Sequence, residues 1–291
     1  MDFIHALFNY GFMQKALFTS MMVGIICGVI GCYIILRGMA LMGDAISHAV
    51  LPGVAISYML GINFFVGAVL TGVLTAIGIG FVSQNSRIKN DTSIGIMFTF
   101  AFALGIILIT MMRTSTDLYH ILFGNVLVVN ASEMWFTLII GFIVICCIYL
   151  FYKELLVSTF DATMSAAYGL PIKWIHYFLM TLLTMVTVAS LQTVGIILVV
   201  AMLITPAATA YLLTDRLSIM LWLSAMLGAA ASIIGLYFSY TYNLASGATI
   251  VVASTALFFL AFIFSPKHGM LLKKWRSKQQ KARVNMQVLD Q

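Results

Sequence analysis

Runs of about 18 to 23 apolar residues, parted by short polar breaks and repeated along the whole chain, leave very few folds open to it. A helix of that length crosses a bilayer core of about 30 Å, and in hydrocarbon it satisfies every backbone donor and acceptor internally. A membrane β-barrel needs segments of about ten residues with alternating polarity, and this sequence has none. Composition agrees: 62% of residues are hydrophobic and only 8% charged, against about 25% charged in a soluble domain. The mean hydropathy is +1.07. An all-α integral membrane protein follows.

The polar breaks divide the chain. Residues 1–15 read as an amphipathic lead-in at the interface, and 16–264 as a polytopic transmembrane domain. Spans are expected at 16–36, 39–60, 64–82, 94–112, 134–152, 174–191, 194–213, 217–240 and 247–264. That makes about nine, with eight or ten admitted by the lead-in and by the tight turn near Gln192. No cleavable leader is expected, because Asp2 and His5 stand where a basic leader would be.

The formal charge of +6 comes largely from the segment 265–291, with Lys267, Lys273, Lys274, Arg276, Lys278, Lys281 and Arg283. Beside a final span, such a tail marks the cytosolic side rather than a nucleic-acid partner. Alternation from it places Arg37, Arg87 with Lys89, and 153–173 inside as well. Gly24, Gly28 and Gly31 form a small-residue stripe for close helix packing. All four cysteines lie in apolar spans, with neither a zinc-type spacing nor a disulfide framework.

One stretch, RGMALMGDAISHAVLPG from Arg37 to Gly53, breaks the apolar rule. Asp44 and His48 are four residues apart and share a helix face. Ionisable groups cost several kcal/mol in hydrocarbon, so such a pair implies a task. Pro52 lacks an amide hydrogen and frees the carbonyl of His48, and Ser47 adds a hydroxyl. Carboxylate, imidazole, carbonyl and hydroxyl suit Mn²⁺, Fe²⁺ or Zn²⁺ better than Cu⁺. One pair cannot fill a coordination sphere, but two copies about a two-fold axis could contribute four side chains. The plain alternative is an ion pair that only holds the helix.

Three further segments carry weaker signals. In MLITPAAT, Pro206 frees the carbonyl of Met202 while Thr205 and Thr209 supply hydroxyls, which describes either a gate or a simple kink. In FDATMSAAYGLP, Asp161 can cap a short helix over 162–167 that Gly169 and Pro171 end, giving a partner-binding knob or an ordinary loop. Asp117, His120 and Glu133 on an outer connection could receive an ion or merely solvate it.

At LRGMALMGDAISHAVLPG the sequence resembles the permeases of the manganese, zinc and iron ABC importers, the ABC-3 or metal-ion-chelate family. The likeness extends through DLYHILFGNVL, FDATMSAAYGLP and VGIILVVAMLITPAATAYLLT to about Phe264. It implies a type II ABC importer-like permease in a bacterial cytoplasmic membrane, working as a homodimer with two cytosolic ATPase subunits and an extracellular metal-binding solute protein. It implies that Asp44 and His48 are the metal ligands, and that Asp161, Ala162, Ala166 and Gly169 belong to the helix seated on the ATPase. The resemblance covers manganese, zinc and iron as cargo; oxygen donors with few thiolates tilt the choice towards manganese, while the imidazole suits zinc equally well. No permanent cofactor is expected, and ATP belongs to the partner, since the chain has no Walker A loop. Two readings from other classes are an intramembrane metal-dependent hydrolase, which lacks an HExxH-like run here, and a structural scaffold, which leaves the buried charges unexplained.

Overall fold

The polar breaks and prolines decide where one helix ends and the next begins. A computed structural model of the chain describes residues 2–111 and 126–265. The helices are α1 (Asp2–Asn9), α2 (Gly11–Leu36), α3 (Met42–Ala49), α4 (Leu51–Leu60), α5 (Phe64–Asn85) and α6 (Asn90–Met111). After a 3₁₀ turn at Val126–Val128 come α7 (Ala131–Leu150), α8 (Tyr152–Phe160), α9 (Ala162–Ala167), α10 (Ile172–Val194), α11 (Ile196–Leu213), α12 (Leu217–Tyr242) and α13 (Ser246–Phe264). Among the described residues, eight helices are long and apolar enough to span a membrane: α2, α5, α6, α7, α10, α11, α12 and α13. Asp117, His120 and the basic tail lie outside the described residues.

The span expected at 39–60 is not one helix. It divides into α3 and α4 at Val50, whose backbone stays helical at φ −78° and ψ −14°. The division is therefore a kink, and Pro52 explains it, because it cannot donate to the carbonyl of His48. The Thr71 hydroxyl on α5 reaches the carbonyl of Val50 at 3.4 Å. Counting the kinked pair as a ninth crossing reproduces the sequence count.

Three other boundaries move. The first span begins at Gly11, after the extended backbone of Tyr10, so it takes in the polar pair Gln14 and Lys15. The turn between the sixth and seventh spans is the single residue Gly195, at φ +84°, a conformation that suits glycine and strains other residues. The inner break at 153–173 is largely helical, since Leu155 is fully buried and anchors α8.

The centre of the bundle is α2. A methyl group built on Gly24 would lie 2.7 Å from the carbonyl oxygen of Gly228 on α12, so the two backbones touch. Ser224 and Ser232 of α12 donate to the carbonyls of Gly28 and Ser20 of α2, each at 2.9 Å. Gly31 meets the backbone of Leu203 on α11. The stripe thus packs α2 between α11 and α12, and dispersion with interhelical hydrogen bonds holds helices that gain no hydrophobic term against lipid. In contrast, α6, α7 and α13 keep most of their apolar surface exposed.

Candidate intramembrane metal site

Asp44 and His48 both lie on α3, held in place by close backbone packing on either side. Gly43 carries no side chain because the Leu203 side chain of α11 occupies that space, 2.8 Å from where a Cβ would stand. Since Leu203 also touches Gly31, these three residues share one level of the bundle. Gly31 is six residues before Arg37, which puts that level about 9 Å along α2 from its polar end. The pair therefore lies within the apolar part of the bundle. The α11 residues around it run from Ile196 to Thr205, the amino-terminal half of that helix.

His48 Nε2 and Asp44 Oδ1 are 3.6 Å apart. That is an ion-pair contact but too long for a hydrogen bond. The Nδ1 atom of His48 is buried with no hydrogen-bond partner. The Asp44 side chain is 46% exposed and that of His48 24%. A pair whose only purpose was to hold the helix would be expected to close and satisfy its donors. Instead both groups border a cavity of about 500 Å³ whose remaining wall is Ile196, Ile197, Val200, Ala201, Ile204 and Thr205. A carboxylate, an imidazole and one hydroxyl at the edge of an apolar chamber can replace part of a cation's water shell.

Two aromatic residues missed in the sequence hold the imidazole. Phe98 and Phe102 of α6 lie 5.6 and 5.4 Å from the His48 ring, the second edge-on. Their spacing of four on one helix was the available signal. Gly105, one turn further along α6, closes on Leu51 and Pro52, where a Cβ would lie 2.8 and 3.1 Å away. The kink at Pro52 thus provides the seat for α6.

The other sequence candidates scatter. Ser47 is fully buried and its hydroxyl donates to the carbonyl of Gly43 at 2.8 Å, so it is engaged within the helix. Thr205 borders the cavity with the ion pair. Met202, Pro206 and Thr209 are buried off its wall. The helix continues through Pro206, and Thr209 donates to the carbonyl of Thr205 at 2.7 Å. Glu133 accepts from the backbone and side-chain amides of Asn130 as a helix cap. Among the described residues no group of three or more His, Cys, Asp or Glu side chains converges, so one chain offers the pair alone.

On the opposite side of the break after α8, Asp161 caps α9. Its carboxylate accepts from the Met164 amide at 2.8 Å and the Thr163 hydroxyl at 2.7 Å. Those bonds, the Met164 amide first, hold its carboxyl below the ordinary value of 3.8. Gly169, at φ +74°, ends the turn. Ala166, Met164 and Tyr168 are exposed on this knob, while Ala162 opens its first turn. A depressed carboxyl stabilises the cap above its unfolded value and loses that contribution as pH falls through the folded one. The protection of the Met164 amide relative to an unstructured amide should therefore fall below about pH 4, and Asp161→Ala should lower it severalfold at neutral pH while Asp161→Ser does not. Equal exchange in all three proteins would remove the cap from the account.

The comparisons with known proteins are these. The model of the ABC 3 transport family matches residues 9–265. A protein named manganese transport system membrane protein MntC, from Listeria monocytogenes, is 66% identical over 95% of this chain and 99% of its own length. The manganese import system permease protein ScaB of Streptococcus gordonii is 51% identical over 94% of this chain and 98% of its own. In a solved structure described as PsaBC from Streptococcus pneumoniae in complex with Fab, one chain is 50% identical, covers 94% of this chain and 99% of that one, and superposes with a TM-score of 0.85.

Proposed function

The chain belongs to the ABC 3 transport family, and from that premise we propose that it is the membrane-spanning subunit of an ATP-driven manganese importer. It is a multi-pass protein of the bacterial cytoplasmic membrane, and it is not itself an enzyme. The observation that carries the metal reading is Asp44 and His48, unclosed on one another, bordering an apolar cavity among the spanning helices. The relatives named for manganese support the cargo. Chemistry supports it too: oxygen with one imidazole suits Mn²⁺, and no thiolate adjoins the pair to favour softer ions.

In this reading a solute-binding protein releases Mn²⁺ at the outer mouth and the ion moves to the pair. Asp44 contributes charge and His48 a nitrogen donor whose ring Phe98 and Phe102 hold in orientation. Two ligands per chain are too few for a closed cage, so the ion remains exchangeable, as conduction requires. A second copy of the chain across a two-fold axis would bring the side-chain count to four. ATP binding and hydrolysis on cytosolic subunits, seated on the knob that Asp161 caps, would alternate access to the site. Thr205 stands at the inner end of the cavity wall, where the exit route begins.

The test is ATP-dependent uptake of radioactive Mn²⁺ by proteoliposomes containing the chain with its ATPase subunits and solute protein. Uptake should be saturable, and Mn²⁺ should accumulate in preference to Zn²⁺ and Fe²⁺. Preferential accumulation of Zn²⁺ or Fe²⁺ would replace manganese as the cargo.

A further inference from the structure

A second cavity, of about 640 Å³, opens where α2 ends, α8 ends and α10 begins. Its lining includes Arg37, Lys173, His176, Gln84, Ser158 and Trp174. Two of those residues, Arg37 and Lys173, carry positive charge and none of the lining is acidic; Glu154, one turn before Ser158 on α8, is not part of the wall. Arg37, Gln84, Ser158 and Lys173 come from three separate breaks, so the basic residues of one membrane side meet there. This also places those breaks on one side, as the charge bias requires.

The Arg37 guanidinium is tied to α8 by neutral hydroxyls, which leave its charge unbalanced. Its Nε donates to the Thr159 hydroxyl at 3.2 Å and its Nη2 to the Ser158 hydroxyl at 2.8 Å. It forms no ion pair with the described residues, and burial holds its pKa below the ordinary arginine value. A half-buried cation without a counter-charge bears part of the cost of desolvation, and an anion beside it offsets that cost. The first turn of α10, whose backbone amides have no intrahelical acceptor, is part of the same wall and adds to the preference for negative charge.

We propose that this cavity binds the phosphate of an anionic phospholipid from the inner leaflet. A phosphodiester matches the donors: Arg37 and Lys173 for charge, Gln84 and the α10 amides for its oxygens. Its exposed aromatic surroundings favour lipid over a soluble anion. Trp174 lines the cavity and is 75% exposed, and Phe81, one turn before Gln84, is 64% exposed. Exposed aromatic residues beside basic ones mark the membrane interface. The site is separate from the Asp44–His48 cavity, and the proposal does not depend on which metal is carried.

The test uses the full permease with its ATPase subunits, extracted in detergent and supplied with phosphatidylglycerol or phosphatidylcholine of identical chains, with retained lipid read by native mass spectrometry. The expected preference for phosphatidylglycerol is about tenfold, falling about fivefold in Lys173→Gln and remaining in Lys153→Gln. Lys173 is exposed, so its variant folds; Arg37→Gln should lose more but also unties α2 from α8. Equal retention of the two lipids, or equal loss in Lys153→Gln, overturns the proposal. Displacement of the lipid by millimolar inorganic phosphate overturns the lipid assignment in favour of a soluble anion. If Lys173→Gln changes ATPase coupling while lipid retention stays the same, the occupant is an acidic side chain of the ATPase, and the proposal fails.

Discussion

Asp44→Ala and His48→Ala each lower manganese uptake by at least about tenfold, the smallest loss seen even when a group supporting a metal ligand is removed. In a two-fold assembly each substitution removes two of four side-chain ligands, so the expected loss is larger than for a single site. The fold should survive, because neither side chain is fully buried or hydrogen-bonded to another element. Protein amount and melting temperature in detergent therefore separate transport from folding. Asp44→Asn keeps the shape and removes the charge, and it should fall nearly as far as alanine. Uptake within twofold of wild type in both alanine variants, with normal folding, would leave the pair a structural detail.

The second large effect is on stability, and it contrasts two glycines. Gly24→Ala puts a methyl group 2.7 Å from the Gly228 carbonyl oxygen. Backbone cannot yield there as a flexible side chain would, so the cost reaches the upper part of the about 1–3 kcal/mol typical of overpacking. Gly95→Ala, in the interior of α6, meets nothing within 4 Å. There the change removes glycine's helix penalty and stabilises by about 0.5–1 kcal/mol. The same chemical substitution should thus move the melting temperature down at one position and up at the other. Equal shifts would mean that α2 and α12 do not pack through their backbones.

The long helices were legible because hydrophobicity and length report bilayer crossing directly. The Asp44–His48 pair was legible for the complementary reason, since charge in an apolar run is rare. Helix ends were harder. Gln14 and Lys15 looked like a boundary, yet the break falls at Tyr10, set by backbone conformation that hydropathy does not encode. Gly195 was hidden in an apolar run, and only its positive φ shows why the chain turns there. Phe98 and Phe102 were unread because an aromatic pair in a span is indistinguishable from lipid-facing residues until its neighbour is known. The cavity at Arg37 joins residues more than a hundred positions apart, which no local pattern can announce.

The most direct measurement of the central claim is anomalous diffraction at the manganese edge from the full importer soaked in Mn²⁺. The account predicts a peak within coordination distance of an Asp44 carboxylate oxygen and a His48 ring nitrogen, absent in the Asp44→Ala protein. A manganese peak elsewhere in the membrane region, with Asp44 and His48 unliganded and the Asp44→Ala protein giving the same peak, would contradict it.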